Sequence, residues 1–277
     1  MTRFITCRIR QWRLLLFLAV CSLSVLTLNG TVEAGQRDWD RFRISLGTYL
    51  VSMDTTVRID SSNGSGTTIG LEDDLGMDSE QTELIFSTRY RFARRHILAL
   101  SYLEMKRDAL TTLSRDLQIG DEMFTIGEDV ETKFDFELLD ISYAYALVQK
   151  PRFDFVISFG ISTIDYDVGV RTAAAFGTAE ERSDETFPVP SVGLGFVHRF
   201  TPRWALRTGF KYFKYSESEW ETRLSVYDLD VEYHPWRRVG FALGYNLFVI
   251  EYDELGDDAL FIDYEYDGIL IRALFSF

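Results

Sequence analysis

Beyond residue 34, large apolar residues fall on every second position over long stretches. Leu139, Ile141, Tyr143, Tyr145 and Leu147 alternate with Asp140, Ser142, Ala144 and Ala146. Val239, Phe241, Leu243, Tyr245, Leu247 and Val249 alternate with Gly240, Ala242, Gly244 and Asn246, and the segments 84–92 and 204–212 repeat the pattern. A period of two predicts β-strands with one apolar face. Four short turns of similar chemistry punctuate them: Ala93-Arg94-Arg95, Lys150-Pro151-Arg152, Thr201-Pro202-Arg203 and Trp236-Arg237-Arg238. Longer polar segments near 60–80, 111–130, 172–187, 216–220 and 253–260 separate the resulting hairpins. Ten strands follow, near 41–58, 81–92, 96–110, 131–148, 153–170, 188–200, 203–215, 221–235, 238–252 and 261–277.

Short turns at one end and long loops at the other are the asymmetry of a transmembrane β-barrel. A secreted lipocalin-like barrel or β-sandwich also alternates, with its large apolar residues pointing inward. Two features favour the membrane. Several strands exceed the usual globular length and suit a tilted crossing. The face opposite the apolar one is largely Gly, Ala and Ser with sparse charges, which fits the inside of a narrow barrel. The expected fold is an all-β, antiparallel, up-and-down transmembrane barrel preceded by a cleaved signal peptide.

That leader is expected over 1–34. Arg3, Arg8, Arg10 and Arg13 precede the apolar stretch Leu14–Leu28, and Val32-Glu33-Ala34 fits a cleavage site, leaving 35–277 as one barrel domain. Both cysteines, Cys7 and Cys21, fall in the leader, and the bulky Val20 speaks against lipidation at Cys21. Removing it leaves 25 basic and 42 acidic residues, a net charge of −17. So acidic a chain is not suited to nucleic acid, which demands clustered cations.

Three segments carry a family likeness: Gly70-Leu71-Glu72-Asp73-Asp74-Leu75-Gly76, Pro190-Ser191-Val192-Gly193-Leu194-Gly195, and Val239 to Asn246, continuing to Tyr264-Glu265-Tyr266-Asp267-Gly268. In these the chain resembles the small outer-membrane β-barrel proteins of Gram-negative bacteria, in the broad OmpA/OmpW-like or opacity-protein-like sense. The ending Phe275-Ser276-Phe277 also resembles the strand signal read by the outer-membrane assembly machinery, although Arg272 stands where glycine is common. The resemblance implies an outer-membrane location, contact with lipid and lipopolysaccharide, and no cofactor. It transfers no activity to any residue.

Candidate chemistry is sparse. His96, His198 and His234 all sit beside expected short turns, away from the outer rim where resembling outer-membrane enzymes hold a histidine, so no enzyme is expected. Glu72, Asp73, Asp74 and Asp78 are weak candidates for a divalent cation, since their spacing is not that of a calcium loop. A solvated acidic loop, bridged loosely by divalent ions, is the plainer expectation, as it is for Asp253, Glu254, Asp257 and Asp258. Trp204, Trp220, Trp236, Tyr143 and Tyr245 suit interfacial girdles better than a sugar-stacking platform. The better candidates face the lumen: Arg207 and Lys211 on the seventh strand, Asp228, Asp230 and Glu232 on the eighth. A hairpin tip between Glu219 and Trp220 would set Lys211 opposite Asp228 and Arg207 opposite Glu232. Such charges tune a pore or close it by pairing. The functional expectation is a structural or surface-interaction barrel with a mostly occluded lumen; the alternative is a passive channel for small polar solutes.

Overall fold

The computed structural model describes residues 41–277 except 62–63, 173–179, 217–219 and 255–258; for 172, 180–187 and 220 only the backbone is described. The expectations for the 1–34 leader, for Asp257 and Asp258, and for the Trp220 side chain therefore lie outside the described residues.

Ten long strands form the wall: β1 (Phe42–Ile59), β3 (Glu80–Ala93), β4 (His96–Thr112), β7 (Asp129–Lys150), β8 (Phe153–Thr172), β9 (Glu180–Arg199), β10 (Trp204–Ser216), β11 (Trp220–Tyr233), β12 (Val239–Glu254) and β13 (Leu260–Ser276). Each pairs antiparallel with the next, and β13 returns to β1 along its whole length, from Ser276↔Arg43 to Leu260↔Ile59, so the sheet closes. The sequence pattern placed nine strands within two residues of these N-terminal bounds, but β9 starts at Glu180 rather than near 188. The polar run before Pro188 hid that extension. Three short elements were also not expected: β2 (Ile69–Gly70), which adds to β1, and the hairpin of β5 (Leu117–Ile119) with β6 (Glu122–Phe124).

Two ladders stop short on the long-loop side. The β3–β4 ladder ends at Ile85↔Leu103, and residues 69–79 fill the space above it, with Leu71 N–H bonding Thr55 O at 2.9 Å and Met53 N–H bonding Ser79 O at 2.8 Å. The β9–β10 ladder ends at Val192↔Tyr212. Continued register would set Pro190 opposite Lys214 and Pro188 opposite Ser216, and neither proline has an N–H to give.

The wall has two chemically opposite halves. Toward the short turns, the outward residues are apolar, such as Phe159 and Ile161 on β8 and Ile269 and Ile271 on β13, each about half exposed. The inward residues there are small or polar: Ser158, Gly160 and Ser162 on β8, Ala144 and Asp140 on β7, Gly244 and Asn246 on β12. Farther along the same strands the chemistry reverses. Outward stand Asp165 and Asp167, Asp263 and Glu265; inward stand Ile164, Val168, Tyr264 and Tyr266. This corrects the expectation of a Gly, Ala and Ser interior, which holds for the short-turn half alone. In the long-loop half, Tyr49, Val51, Leu103, Met105, Phe134, Phe136, Leu224 and Phe248 pack into one buried cluster. Leu71, Leu75 and Met77 from the first long loop, with Leu117 and Phe124 from the β5–β6 hairpin, join the same cluster. Phe248 and Tyr266 stack at 4.5 Å between centroids, and Phe136 meets Tyr264 at 5.0 Å.

Candidate functional site

The interior of the short-turn half collects the charges. Side chains on β10 point inward at odd numbers and on β11 at even numbers, so Arg207, Lys211, Asp228, Asp230 and Glu232 all face the lumen. The hairpin register differs from the expected one by two residues across the pair. Arg207 lies opposite Asp230, Gly209 opposite Asp228 and Lys211 opposite Val226.

The ion pairs formed are therefore not all the ones expected. Glu232 accepts from Arg207 Nε at 3.0 Å, diagonally, and from Arg43 NH1 on β1 at 2.8 Å; His234 Nε2 lies 3.2 Å from its other oxygen. Lys211 does not meet Asp228. Its ammonium crosses β9 and β8 to Asp140 on β7 at 2.5 Å and to Ser142 Oγ at 2.9 Å. The crossing is open because Gly193 carries no Cβ, which would sit 3.2 Å from Lys211 Cγ. Ser142 and Ser162 hydroxyls also donate to Asp140, at 2.6 and 2.9 Å. Arg272 on β13 is bonded to Asp230, and Gly47 leaves room for its side chain. That pair accounts for an arginine where the terminal-strand pattern favours glycine. Asp154 is held by Arg199 at 2.6 Å. Asp228 completes the group; among the described residues it has no hydrogen-bond partner, and it lies in the field of Asp230, Lys211, Arg272 and Arg207.

These groups line a cavity of about 360 Å³. Serines 45, 87, 101 and 158 share its wall, and Tyr49, Leu103, Phe248 and Tyr266 from the apolar cluster border it on the long-loop side. Sequence reasoning missed Arg43, Asp140 and Arg272. Each is a single inward charge on a strand otherwise read as small or apolar, and only closure of the sheet brings it to a partner.

At the other end, Arg107 on β4 is 2 % exposed within the apolar cluster. It donates to Glu72 at 2.5 Å and to Thr55 Oγ1 at 2.8 Å, and its guanidinium lies 4.9 Å from the Phe134 ring centre. Glu72 also accepts from Thr55 N–H at 2.9 Å. Asp74 accepts from Gly70 N–H at 2.9 Å and from Arg115, at 2.6 and 2.9 Å. Two of the four carboxylates considered for a cation are thus engaged by arginines that hold the loop in place. Partial burial alone would raise the Asp74 pKa, but Arg115 and the Gly70 N–H more than offset it and hold the carboxyl below its usual range. Asp54, beside them, is raised by burial and then by Glu72 and Asp73. The three histidines all stand at the short-turn end, where His96 Nδ1 meets Tyr143 Oη at 2.7 Å.

No family model matches the chain, and no curated protein matches it in sequence. Among solved structures, the outer membrane protease OmpT from Escherichia coli superposes with a TM-score of 0.57 at 9% identity, covering 87% of this chain and 98% of that one. The translocator domain of the autotransporter NalP from Neisseria meningitidis gives 0.46 at 9% identity, with 91% of each chain covered. Ail, the attachment invasion locus protein of Yersinia pestis, gives 0.35 at 12% identity over 83% of this chain and 97% of its own. At 9% identity the OmpT likeness speaks to fold and not to activity. The chain shares that fold, a closed antiparallel β-barrel of ten long strands.

Proposed function

We propose that this barrel is closed to solutes and serves a structural or surface-interaction role, presenting a solid, acidic outer half beyond the membrane. The observation that supports it is the apolar cluster. Its aromatic residues come from β1, β7, β12 and β13, on both sides of the barrel, and two loop segments pack among them. A hydrated path would have to pass between rings stacked at van der Waals distance. Below the cluster, paired charges border the cavity, and breaking any buried pair leaves an uncompensated ion. In this reading the role is non-catalytic. The acidic outer surface meets lipopolysaccharide through loosely bound divalent cations.

Planar-bilayer recording of the refolded barrel tests it. The proposal expects no unitary steps. Discrete steps whose size changes on Arg207→Gln or Asp228→Asn would instead establish the passive channel. Cleavage of a peptide library by the refolded barrel, lost on substitution of its outward carboxylates, would overturn the non-catalytic part.

A further inference from the structure

The chain carries a net charge of −14, yet the rim at its short-turn end is basic. Every one of the four short turns contributes cations and none contributes a carboxylate. Arg94 and Arg95 join β3 to β4, Arg152 follows Lys150 between β7 and β8, Arg203 precedes β10, and Arg237 and Arg238 precede β12. All are exposed except Arg152, which is half-buried. Among the described residues no carboxylate lies within ion-pair distance of Arg94, Arg95, Lys150, Arg203, Arg237 or Arg238. The carboxylates nearest in sequence, Asp154 and Glu232, point into the barrel and are already paired. These six charges therefore have no carboxylate neighbour among the described residues, although Arg95 also reaches Tyr145 Oη at 3.5 Å, and they are exposed to a partner outside the chain.

Their depth identifies the partner. The turns alternate with the strands, so cation groups recur at about two strand spacings, roughly 10 Å, around the rim. Three of the four groups lie within three residues of an exposed aromatic: Phe92 for Arg94, Trp204 for Arg203 and Trp236 for Arg237, with relative exposures of 42%, 45% and 63%. Aromatic side chains of this kind settle at the headgroup level of a bilayer. Guanidinium groups held beside them sit where lipid phosphates lie, and a planar fork suits phosphate oxygens.

We propose that the short-turn rim is a binding surface for the headgroups of anionic phospholipid in the leaflet on that side, the periplasmic one. The exposed cations bind the phosphate while the aromatics next to them enter the acyl boundary. The rim thereby fixes how deep the barrel sits, independently of whether its lumen conducts.

The test is native mass spectrometry of the folded barrel in detergent, titrated with phosphatidylglycerol and with phosphatidylcholine. Phosphatidylglycerol is expected to be retained in preference, and raising the salt concentration is expected to remove the preference by screening. Arg237→Gln with Arg238→Gln should weaken retention of phosphatidylglycerol by roughly tenfold and leave phosphatidylcholine unchanged. Arg94→Gln with Arg95→Gln is the second variant, and a retained gel shift on unboiled samples certifies that either one is folded. Equal retention of the two lipids by the unaltered barrel, or an unchanged preference in a folded variant, would overturn the proposal. So would capture of soluble polyglutamate without any headgroup preference, which would assign the rim to an acidic periplasmic partner.

Discussion

Along β8, the outward residues run Phe155, Ile157, Phe159 and Ile161 in the short-turn half, then Thr163, Asp165 and Asp167 in the long-loop half. The inward residues run the other way, from Asp154, Ser158 and Ser162 to Ile164, Tyr166 and Val168. The backbone does not change between them, since the ladder with β9 is continuous from Phe153 to Arg171. What changes is the solvent on each side. The lower half is built for lipid outside and water inside, and the upper half for water outside and a dry core inside. One strand thus obeys two opposite burial rules, and the residue at which it switches marks the edge of the membrane.

That contrast fails or sharpens on paired substitutions. The largest effect is expected in the dry core. Phe136→Ala should cost about 3–5 kcal/mol in urea unfolding from lipid vesicles, whereas Ser158→Ala in the lower cavity should cost under about 1 kcal/mol. Equal costs would deny that the halves differ inside. Arg107→Ala should also cost about 3–5 kcal/mol by leaving Glu72 half-buried without its cation, and Arg107→Met with Glu72→Gln should recover much of it. Outside, the expectation inverts. Ile271→Arg on the lower face should cost about 2–4 kcal/mol near the bilayer midplane, and Glu265→Arg on the upper face of the same strand no more than about 0.5 kcal/mol. The smallest effect belongs to the exposed Asp74–Arg115 pair. Its carboxyl is held below the usual range, so its contribution is complete above the ordinary aspartate pKa of the unfolded chain and is lost as pH falls through the lower folded value. Partly exposed and screened, it is worth about 0.3 kcal/mol. The acid unfolding midpoint of Asp74→Asn should therefore shift only slightly.

Much of this was legible in the residues. Strand number, the positions of the short turns and the inward orientation of Arg207, Lys211, Asp228, Asp230 and Glu232 follow from alternation alone. The pairings did not follow. Lys211 finds Asp140 across two intervening strands, and Glu232 finds Arg43 across the closure of the barrel, so both depend on curvature that a period of two does not encode. The dry upper core did leave a trace. On β7 the apolar set moves from even positions, Phe134, Phe136 and Leu138, to odd ones, Leu139, Ile141 and Tyr143. On β13 it moves from Tyr264 and Tyr266 to Ile269 and Ile271. A switch of parity ordinarily signals a bulge that turns the strand over. The β7–β8 ladder has its irregularity at Ala146/Val148, well away from the switch, and the β12–β13 ladder is regular throughout. A change of parity without a bulge is a change of surroundings.

The most direct test places a nitroxide at each outward position of β13 in turn, from Phe275 to Phe261, and reads its collisions with oxygen and with a water-soluble nickel chelate in lipid vesicles. Oxygen should dominate from Phe275 through Ile269, and the chelate should dominate from Asp267 through Asp263. Lipid-like accessibility continuing through Glu265 and Asp263, or chelate access at Ile271, would contradict the two-solvent account.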